Sequence, residues 1–428
     1  MTDWGRRRLH FIGIGGAGMS GLALVCAELG ATVTGSDRAD SSYVERLRAA
    51  GIEPAIGHDA ANLPDGAEVV VSTAIDAGNP ELALARERGV EPIHRGALLA
   101  ELCAEKRLIA VAGTHGKTTT TAMLVWGLRA LGADPAFFIG GEVPGLGPGG
   151  ATANAGWGKG EWVVAEADES DGSFLRLAPE IAIVTNVEMD HHSHWGSEAE
   201  LRAAFAEFEA KARAVVRSDD LDVDVELAVP GHHNLLNARA AIAAAVAAGF
   251  EADAIAAALA DFPGVKRRLE LKGSRRGTRI YDDYAHHPTE VRAALSALRE
   301  EGPGRLIALF QPHLYSRTKA FAEGFGAALS LADEAAVLDV YPAREEPVGD
   351  LAGVSGLRVA QAAAERMGGR RVLWLPDADR AAEALAGVLD RNGTLGIEGQ
   401  VLVTIGAGDV FRIGEALVED GGREEARR

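Results

Sequence analysis

The sequence predicts an α/β protein of three domains, and three observations carry this prediction. The chain has 428 residues, close to three times the length of an ordinary domain. Hydrophobic residues make up 47% of it and charged residues 25%, which is typical of a folded globular protein and excludes a largely disordered or fibrous one. Short β runs alternate with helical stretches near both ends, as in parallel sheets flanked by helices. The expected domains are 1–106, 107–264 and 265–428.

The overall charge excludes one class of partner. Lys and Arg number 43 against 62 Asp and Glu, a net charge of −19, so nonspecific binding to nucleic acid is not expected. The two cysteines, Cys26 and Cys103, lie in apolar runs without metal-ligand spacing, which favours buried, reduced thiols in a cytoplasmic protein. Three arginines precede an uncharged stretch at 9–27, but its regular glycines indicate a strand–turn–helix unit rather than a signal peptide or membrane insertion.

The first domain is expected to bind a nucleotide. Strands are predicted at 9–14, 32–36 and 69–72, and helices at 18–29, 43–50, 81–88 and 97–104. A glycine pattern follows the first strand, formed by Gly13, Gly15, Gly16 and Gly18, and Asp37 ends the second strand. Such glycines let the backbone approach a diphosphate at a helix N-terminus, and Asp37 is placed to accept hydrogen bonds from a ribose. The pattern does not distinguish NAD from another diphosphate nucleotide, and a tight turn without a ligand is the alternative.

A more specific loop opens the second domain. A strand at 108–112 runs into a helix at 117–131 through a phosphate-binding pattern formed by Gly113, Thr114, His115, Gly116, Lys117, Thr118 and Thr119. Successive amides and the helix N-terminus cradle phosphate oxygens, Lys117 adds a positive charge, and the Thr118 hydroxyl is suited to Mg²⁺. The alternative is a strand–helix junction that carries Gly-Lys-Thr by coincidence.

Two acidic clusters, 166–171 and 186–191, follow the strands predicted at 162–166 and 181–185. Parallel strands present their carboxyl ends at one edge of a sheet, so both clusters are expected to face the phosphate loop. Carboxylates there, including Glu166, offer the hard oxygen ligands that Mg²⁺ prefers.

Histidines at 191, 192 and 194 fit no common zinc spacing. The segment 140–160 is rich in Gly and Pro and is predicted to be irregular.

An Ala-rich helix is predicted at 234–248, and it is apolar nearly all round and therefore buried. Asn234 and Asn237 stand at its beginning. Asn234 suits an N-cap, and both side-chain amides are able to donate to and accept from a nucleotide base. The two interpretations are compatible.

The third domain repeats the alternation of strand and helix. Its strands are predicted at 279–281, 306–310, 334–340, 372–375 and 401–405. Polar and aromatic residues follow the first two strands, at 281–288 and 310–318. They indicate the edge of one cleft, although a structural turn explains either segment by itself. The tail from 415 is charged and is expected to fray.

Taken with their order along the chain, these motifs resemble those of the Mur ligase family. The residues that carry the resemblance are HFIGIGGAGMSGLA, AGTHGKTTTT, EADESDGSFL, TNVEMDH, PGHHNLLNA, GVKRRLE, YDDYAHHPTE, FQPHLYSRT and GAGDV. EADESDGSFL and DDYAHHPTE are specific to the alanine-adding branch. The resemblance implies a Rossmann-like N-terminal domain for a UDP-sugar, a central P-loop ATPase domain and a Rossmann-like C-terminal domain.

The resemblance also implies a reaction and a role for each site residue. ATP would activate the lactyl carboxylate of UDP-N-acetylmuramate as an acyl phosphate, which the amine of L-alanine would capture, in cytoplasmic peptidoglycan synthesis. Lys117 would neutralise the β/γ-phosphate oxygens, and Mg²⁺ would be held by Thr118, Glu166 and His191. The remaining implied roles are adenine contacts by Asn234 and Asn237, an approach to ATP by Arg268 and Asp283, and binding of substrate carboxylates by His313 and Arg317. A monomer or weak homodimer is expected.

Two departures from the family pattern are visible in the sequence. Leu314 stands where the family's FQPHRYSRT has Arg, which removes a possible anion contact beside His313. The stretch from Asp190 to Gly231 is also much shorter than in the family, so the antiparallel portion of the central domain is expected to be missing.

Three other functions stay open at this stage. A sister ligase, which recycles peptides or acts on folate-type substrates, would ignore free L-alanine or use a different acid. A nucleotide-regulated binding protein with a degraded site would bind ATP without turning it over. An NAD-dependent dehydrogenase would leave AGTHGKTTTT without a role.

Overall fold

The computed structural model describes residues 2–190, 194–218, 221, 223–343, 345–394 and 399–425. It confirms the predicted fold class, since three mostly parallel sheets follow one another along the chain, each flanked by helices. The chain divides into two compact units: Met1–Ala228 with Leu235–Val265, and Val229–Asn234 with Lys266–Arg428. The first unit contains two of the sheets and the second unit contains the third.

The N-terminal sheet is wholly parallel, with strand order β3-β2-β1-β4-β5. Side-chain caps start three of its helices: Ser41 accepts from the amide of Val44, Asn79 accepts from amides of the first turn after Pro80, and His94 accepts from the amide of Gly96. The strands are β1 (Arg8–Ile12), β2 (Thr32–Asp37), β3 (Ala55–Ile56), β4 (Glu68–Val71) and β5 (Ile93–His94), and the helices are α1 (Ala17–Glu28), α2 (Ser42–Ala49), α3 (Pro80–Glu87) and α4 (Arg95–Cys103).

The central sheet has the order β11-β10-β6-β9-β7-β8, and only the β7–β8 pair is antiparallel among its described strands. Its inner strands are continuous apolar runs buried on both faces, as a covered parallel sheet requires. The strands are β6 (Arg107–Ala112), β7 (Ala136–Val143), β8 (Ala153–Gly156), β9 (Trp162–Glu166), β10 (Ile181–Val184) and β11 (Ala214–Arg217), and the helices are α5 (Lys117–Ala130), α6 (Glu198–Ala210), α7 (His232–Ala247) and α8 (Ala252–Leu259).

The prediction that 140–160 is irregular is wrong. β7 runs to Val143, and β8 returns antiparallel to it through a loop that contains the glycines and a short 3₁₀ helix at Pro148–Gly150. The reason is tertiary: Phe137 and Phe138 pair with β9 and are buried, so packing outweighs the breakers that follow them.

The C-terminal sheet has the order β12-β13-β17-β14-β15-β16, with β12 antiparallel to β13 and the other pairs parallel. Helix α9 opens with a capping box, in which His287 and Glu290 exchange hydrogen bonds with each other's backbone. The strands are β12 (Glu270–Arg275), β13 (Thr278–Asp283), β14 (Arg305–Phe310), β15 (Glu334–Val337), β16 (Val372–Trp374) and β17 (Gln400–Ile405), and the helices are α9 (Pro288–Glu300), α10 (Tyr315–Leu329), α11 (Leu357–Arg366), α12 (Ala378–Thr394) and α13 (Phe411–Glu425).

The predicted fraying from residue 415 is also wrong for the described part of the tail, because α13 continues to Glu425, while residues 426–428 lie outside the described residues. Leu417 is buried in the core of the C-terminal sheet, and Val418 packs against it. The charged residues of this segment therefore belong to an amphipathic helix whose apolar side is anchored. Within the described residues, no helix is long and apolar enough to cross a membrane.

Candidate active site

The phosphate-binding pattern forms the turn between β6 and α5, and two of its positions accept only glycine. Gly113 has a φ of +134°, and a Cβ atom there would lie 2.0 Å from the Thr185 hydroxyl oxygen. Gly116 has a φ of +84°, and a Cβ atom there would lie 2.4 Å from the Asn237 side-chain oxygen. The loop therefore requires positive φ and close packing at both ends. The first turn of α5 follows directly and carries amide groups that have no partner inside the helix.

Residues after β10 hold this loop in place. The amide of Thr114 donates to the backbone oxygen of Asn186 over 3.1 Å, and the amide of His115 donates to the Asn186 side chain over 2.9 Å. The Thr114 hydroxyl donates to the backbone oxygen of Glu188, also over 2.9 Å. The structure thus brings the described part of the second predicted cluster, 186–190, to the phosphate loop, as the shared edge of β6 and β10 requires.

Lys117 lies inside the loop rather than in solvent. Its Nζ atom is 2.6 Å from the backbone oxygen of Gly113 and 2.8 Å from the Glu169 carboxylate, whose side chain is 1% exposed. Burial opposes the charge of Lys117, but the carboxylates of Glu169, Asp168 and Glu166 outweigh it and raise the pKa of the ammonium group. Burial also raises the pKa of Glu169, to about 7, although Lys117 opposes that rise.

Two of the predicted metal ligands are neighbours. The Thr118 hydroxyl donates to Glu166 over 3.0 Å, and the amide of Gly140 donates to the other carboxylate oxygen of Glu166 over 2.7 Å. A hydroxyl and a carboxylate are hard oxygen donors, which fit Mg²⁺. The third predicted ligand, His191, lies outside the described residues.

The first glycine loop is a tight turn between β1 and α1. The amides of Gly13 and Ile14 donate to the backbone oxygen of Ser36, and the amide of Gly15 donates to the Asp37 carboxylate over 2.8 Å. Gly16 is the N-cap of α1. The sequence predicts that Asp37 faces a ribose, and the structure shows that one of its oxygens holds the loop itself.

Sequence reasoning missed a cation that joins this loop to the phosphate site. Arg95, the first residue of α4, is 2.5 Å from the Asp168 carboxylate and 3.0 Å from that of Asp171. Its guanidinium also lies beside Gly18, where an added Cβ atom would be 3.4 Å from Nη1. The sequence does contain one signal that Arg95 lies near a ligand site, which is its position directly after β5. The ends of parallel strands mark the edge of the sheet where ligands bind. Asp168, Glu169 and Asp171 belong to the first acidic cluster, but the sequence gives none of them a role of its own.

The two asparagines of α7 have different surroundings. Asn237 accepts a hydrogen bond from the Thr120 hydroxyl over 3.3 Å and so packs against the phosphate loop. The Asn234 side chain donates to the backbone oxygen of Pro230 over 2.7 Å. Because α7 begins at His232, Asn234 lies in its first turn, and the prediction that it is the N-cap is wrong.

In the second unit, Asp283 ends β13 and is 6% exposed. Its carboxylate accepts from the amides of Leu269 and Ala285, each over 2.8 Å. Burial raises the pKa of Asp283 to about 6, although Arg268 and these two amides oppose the rise. Arg268 lies over the ring of Tyr284, which places both predicted residues at this strand end.

The other predicted pair of this unit follows β14. His313 stacks on the ring of Tyr341, and Arg317 approaches the His313 Nδ1 atom within 3.3 Å. Leu314 between them has a φ of +68°, an uncommon conformation for a branched side chain. The strand ends that carry Asp283 and His313 are not adjacent in the sheet, since β17 lies between β13 and β14.

Comparison with known proteins finds a match to one protein family in the region of each of the three sheets. Sequence models described as "Mur ligase family, catalytic domain", "Mur ligase middle domain" and "Mur ligase, glutamate ligase domain" match residues 8–107, 111–222 and 267–408. The chain belongs to the Mur ligase family. It is 45% identical to proteins named UDP-N-acetylmuramate–L-alanine ligase from Paenarthrobacter aurescens and Kineococcus radiotolerans, over 96% of this chain and at least 95% of each relative.

Solved structures of Mur ligases have the same fold. The UDP-N-acetylmuramate-alanine ligase of Thermotoga maritima is 28% identical and superposes with a TM-score of 0.82, over 98% of this chain and 100% of that one. The alignment with the Paenarthrobacter Mur ligase spans 462 positions but only 96% of these 428 residues, about 411. About 50 aligned positions of that relative therefore have no counterpart here, which agrees with the shortened chain expected from the sequence.

Proposed function

We propose that this Mur ligase joins L-alanine to the lactyl carboxylate of UDP-N-acetylmuramate with ATP, as a cytoplasmic step of peptidoglycan precursor synthesis. The observation that carries the proposal is the edge shared by β10, β6 and β9, where Lys117 and the Thr118–Glu166 pair come together at the phosphate loop. It occurs in a chain that aligns nearly end to end with ligases of that name. The divisions at 1–106, 107–264 and 265–428 remain part of the proposal.

ATP is the nucleotide assigned to the phosphate loop. The amides at the start of α5 and the ammonium of Lys117 are directed to its phosphates, with Gly113, Thr114, His115, Gly116 and Thr119 forming the cradle. Thr118 and Glu166, together with His191, are assigned to Mg²⁺, and the contact between the first two supports that assignment. When bound, the metal neutralises charge on the phosphate oxygens.

The reaction proceeds in two balanced steps. An oxygen of the lactyl carboxylate forms a bond to the γ-phosphorus while the bond from that phosphorus to the ADP oxygen breaks. The amine of L-alanine then attacks the acyl carbon, phosphate leaves with the bonding electron pair, and the nitrogen loses a proton. A free carboxylate is a poor acylating agent, and phosphate is a good leaving group, which is why ATP is consumed. The loop contributes by positioning and by neutralising charge, and Lys117 is its main cation.

The first glycine loop is assigned to the diphosphate of the UDP-sugar. Gly13, Gly15, Gly16 and Gly18 bring the backbone close to it at the N-terminus of α1, and Asp37 fixes the turn through the amide of Gly15. Arg95, whose guanidinium lies beside Gly18, pairs with Asp168, the neighbour of the Glu169 that contacts Lys117, all within the first unit. This contact supports a site in which the muramate carboxylate reaches the γ-phosphate.

The remaining assignments extend the proposal. Asn234 and Asn237 are assigned to the adenine, Arg268 and Asp283 to contacts with the nucleotide, and His313 and Arg317 to the carboxylates of the acceptor. Burial supports them, since Asp283, Arg317, Asn234 and Asn237 are all buried, and Arg317 also contacts His313. We assign the protein as a monomer or weak homodimer.

An omission experiment tests the proposed function. Purified protein is given UDP-N-acetylmuramate, L-alanine, ATP and MgCl₂, and phosphate release is followed as each component is left out in turn. We expect release only in the complete mixture. A parallel series replaces L-alanine with glycine, L-serine or a muropeptide tripeptide. Release with the tripeptide but not with L-alanine would contradict the proposal and favour a peptide-recycling ligase.

A further inference from the structure

Lys117, the main cation of the phosphate loop, is shared between several oxygens. Its Nζ atom lies 2.6 Å from the backbone oxygen of Gly113, and 2.8 and 3.0 Å from the two carboxylate oxygens of Glu169. The backbone oxygen of Thr114 is 3.3 Å away. An ammonium group has three hydrogens to donate. A phosphate oxygen that accepts a hydrogen bond from Lys117 must therefore displace one of these oxygens from the ammonium group. Among them, the oxygens of the Glu169 carboxylate are the charged ones.

The segment that carries Glu169 is fixed from both sides. Asp168 and Asp171 pair with Arg95 of α4, while the indole of Trp195 donates to the backbone oxygen of Glu169 over 3.1 Å. The amide of Gly172 donates to the same oxygen, also over 3.1 Å. Glu169 is thus held by its own backbone, whereas Lys117 has a four-carbon stem with several rotatable bonds. When the pair separates, the ammonium moves and the carboxylate stays.

The nearby carboxylates are engaged with other groups. Glu166 accepts from Thr118 and from the amide of Gly140. Asp168 pairs with Arg95, which, with Lys117 nearby, lowers its pKa well below the usual range in spite of burial. Burial instead raises the pKa of Glu169 to about 7 against the opposing effect of Lys117. A buried carboxylate that keeps its charge opposes the departure of the Lys117 ammonium group.

We propose that Glu169 is a positioning residue that competes with nucleotide phosphate for the ammonium of Lys117 and so limits how tightly the loop retains ADP. The inference rests on the proposed function, since it takes the loop to bind a nucleotide. It adds a role for a residue outside the metal and phosphate ligands assigned above. Its physical basis is that a fixed negative charge 2.8 Å from Nζ both draws the cation back and repels phosphate oxygens.

The test is the affinity of Glu169→Gln for ADP, measured by calorimetry with MgCl₂ on the full chain. Gln keeps the size of the side chain but removes its charge, so we expect the Kd for ADP to fall by about five- to tenfold. Product inhibition by ADP should strengthen by the same factor. A merely structural role for Glu169 predicts the reverse, because a distorted loop binds ADP more weakly.

Glu161→Gln is the matched control, since Glu161 pairs with a cation of the same domain, Arg107, but its side chain is 66% exposed. Its Kd for ADP should equal that of the wild type. A Kd of Glu169→Gln that is unchanged within twofold, or higher, would overturn the proposal. If Glu169→Gln does not fold, Glu169→Asp decides, because it withdraws the carboxylate by one carbon. We expect ADP to bind about twofold tighter or more, and unchanged or weaker binding overturns the proposal.

These outcomes separate the inference from the proposed reaction. Wild-type protein that binds ADP but forms no amide contradicts the proposed reaction alone, and the Glu169 variants still decide the inference. Wild-type protein that binds no ADP contradicts both.

Discussion

Lys117 is the cation that we propose for the phosphates of ATP, and its removal is the sharpest test of that proposal at the scale of one residue. We expect Lys117→Met to lower kcat by about a thousandfold or more, because charge on the transferred phosphoryl group loses its main protein cation. The fold should survive, since Glu169, whose pKa burial already raises to about 7, can take up a proton once its partner is gone. Phosphate-release rates and circular dichroism measure the two effects.

Lys159→Met is the control for this change, because Lys159 is exposed and stands outside the loop. Its kcat should match the wild type. Affinity for UDP-N-acetylmuramate should also be unchanged in Lys117→Met, since that substrate is assigned to the first glycine loop. A Lys117→Met protein with near-normal turnover would contradict the role given to the ammonium group.

Glu81 gives a residue-scale prediction about stability. Its side chain is fully buried and accepts from Ser36 and Asn62 and contacts a ring nitrogen of His10, all within 3.0 Å. Burial by itself raises the pKa of Glu81, but the hydrogen bonds from His10, Ser36 and Asn62 outweigh it and lower the pKa to about 2. Because the pKa in the folded chain is below its usual value of 4.5, the stabilisation is complete above about pH 4.5 and is lost as the pH falls towards 2.

We therefore expect Glu81→Gln to lower the free energy of unfolding by about 1–3 kcal/mol at pH 7. The difference from the wild type should shrink at pH 3.5. Urea denaturation at the two pH values measures it. Glu53→Gln, at a side chain that is 76% exposed, should change stability by less than about 0.5 kcal/mol. An equal loss for Glu81→Gln at both pH values would argue against the depressed pKa.

At the scale of elements, the turn between β6 and α5 depends on its glycines. Gly113→Ala places a methyl group 2.0 Å from Thr185 at a φ of +134°, and we expect it to lower the free energy of unfolding by about 2–5 kcal/mol. ADP binding should be lost with it, because the loop cannot keep its shape. Gly132→Ala, after the other end of α5, also has a positive φ but open space around it, and should cost only about 1 kcal/mol without affecting ADP binding. Equal effects of the two changes would exclude packing against Thr185 as the cause.

The elements also show where sequence reasoning succeeds and where it stops. Buried parallel strands such as β6 and β9 are predicted within one residue, because an unbroken apolar run of that length between polar turns is typical of a strand covered on both faces. β7 and β8 are missed because their glycines and prolines signal a loop, whereas pairing with β9 decides their conformation. The helix at the C-terminus is missed for the same reason, since a buried Leu417 anchors an otherwise charged segment.

At the scale of the whole molecule, the rule that parallel strands share a ligand edge predicts which loops of the first unit meet. It brings the phosphate loop and the two acidic clusters together from the sequence alone. It does not predict that Arg95 bridges to Asp168 and Asp171, because that contact depends on how two sheets pack, and sequence spacing carries no such information. The same limit applies to the choice of Glu169 as the partner of Lys117.

The most direct test of the central claim follows one oxygen atom through the reaction. UDP-N-acetylmuramate labelled with ¹⁸O in both oxygens of its lactyl carboxylate is incubated with L-alanine, ATP, MgCl₂ and the protein. The masses of the amide product and of the released phosphate are then measured by mass spectrometry. The account predicts an amide of UDP-N-acetylmuramate with L-alanine and one ¹⁸O atom in each released phosphate, because the carboxylate oxygen that bonds to phosphorus leaves with it. An absent amide, or an amide formed with unlabelled phosphate, would contradict it.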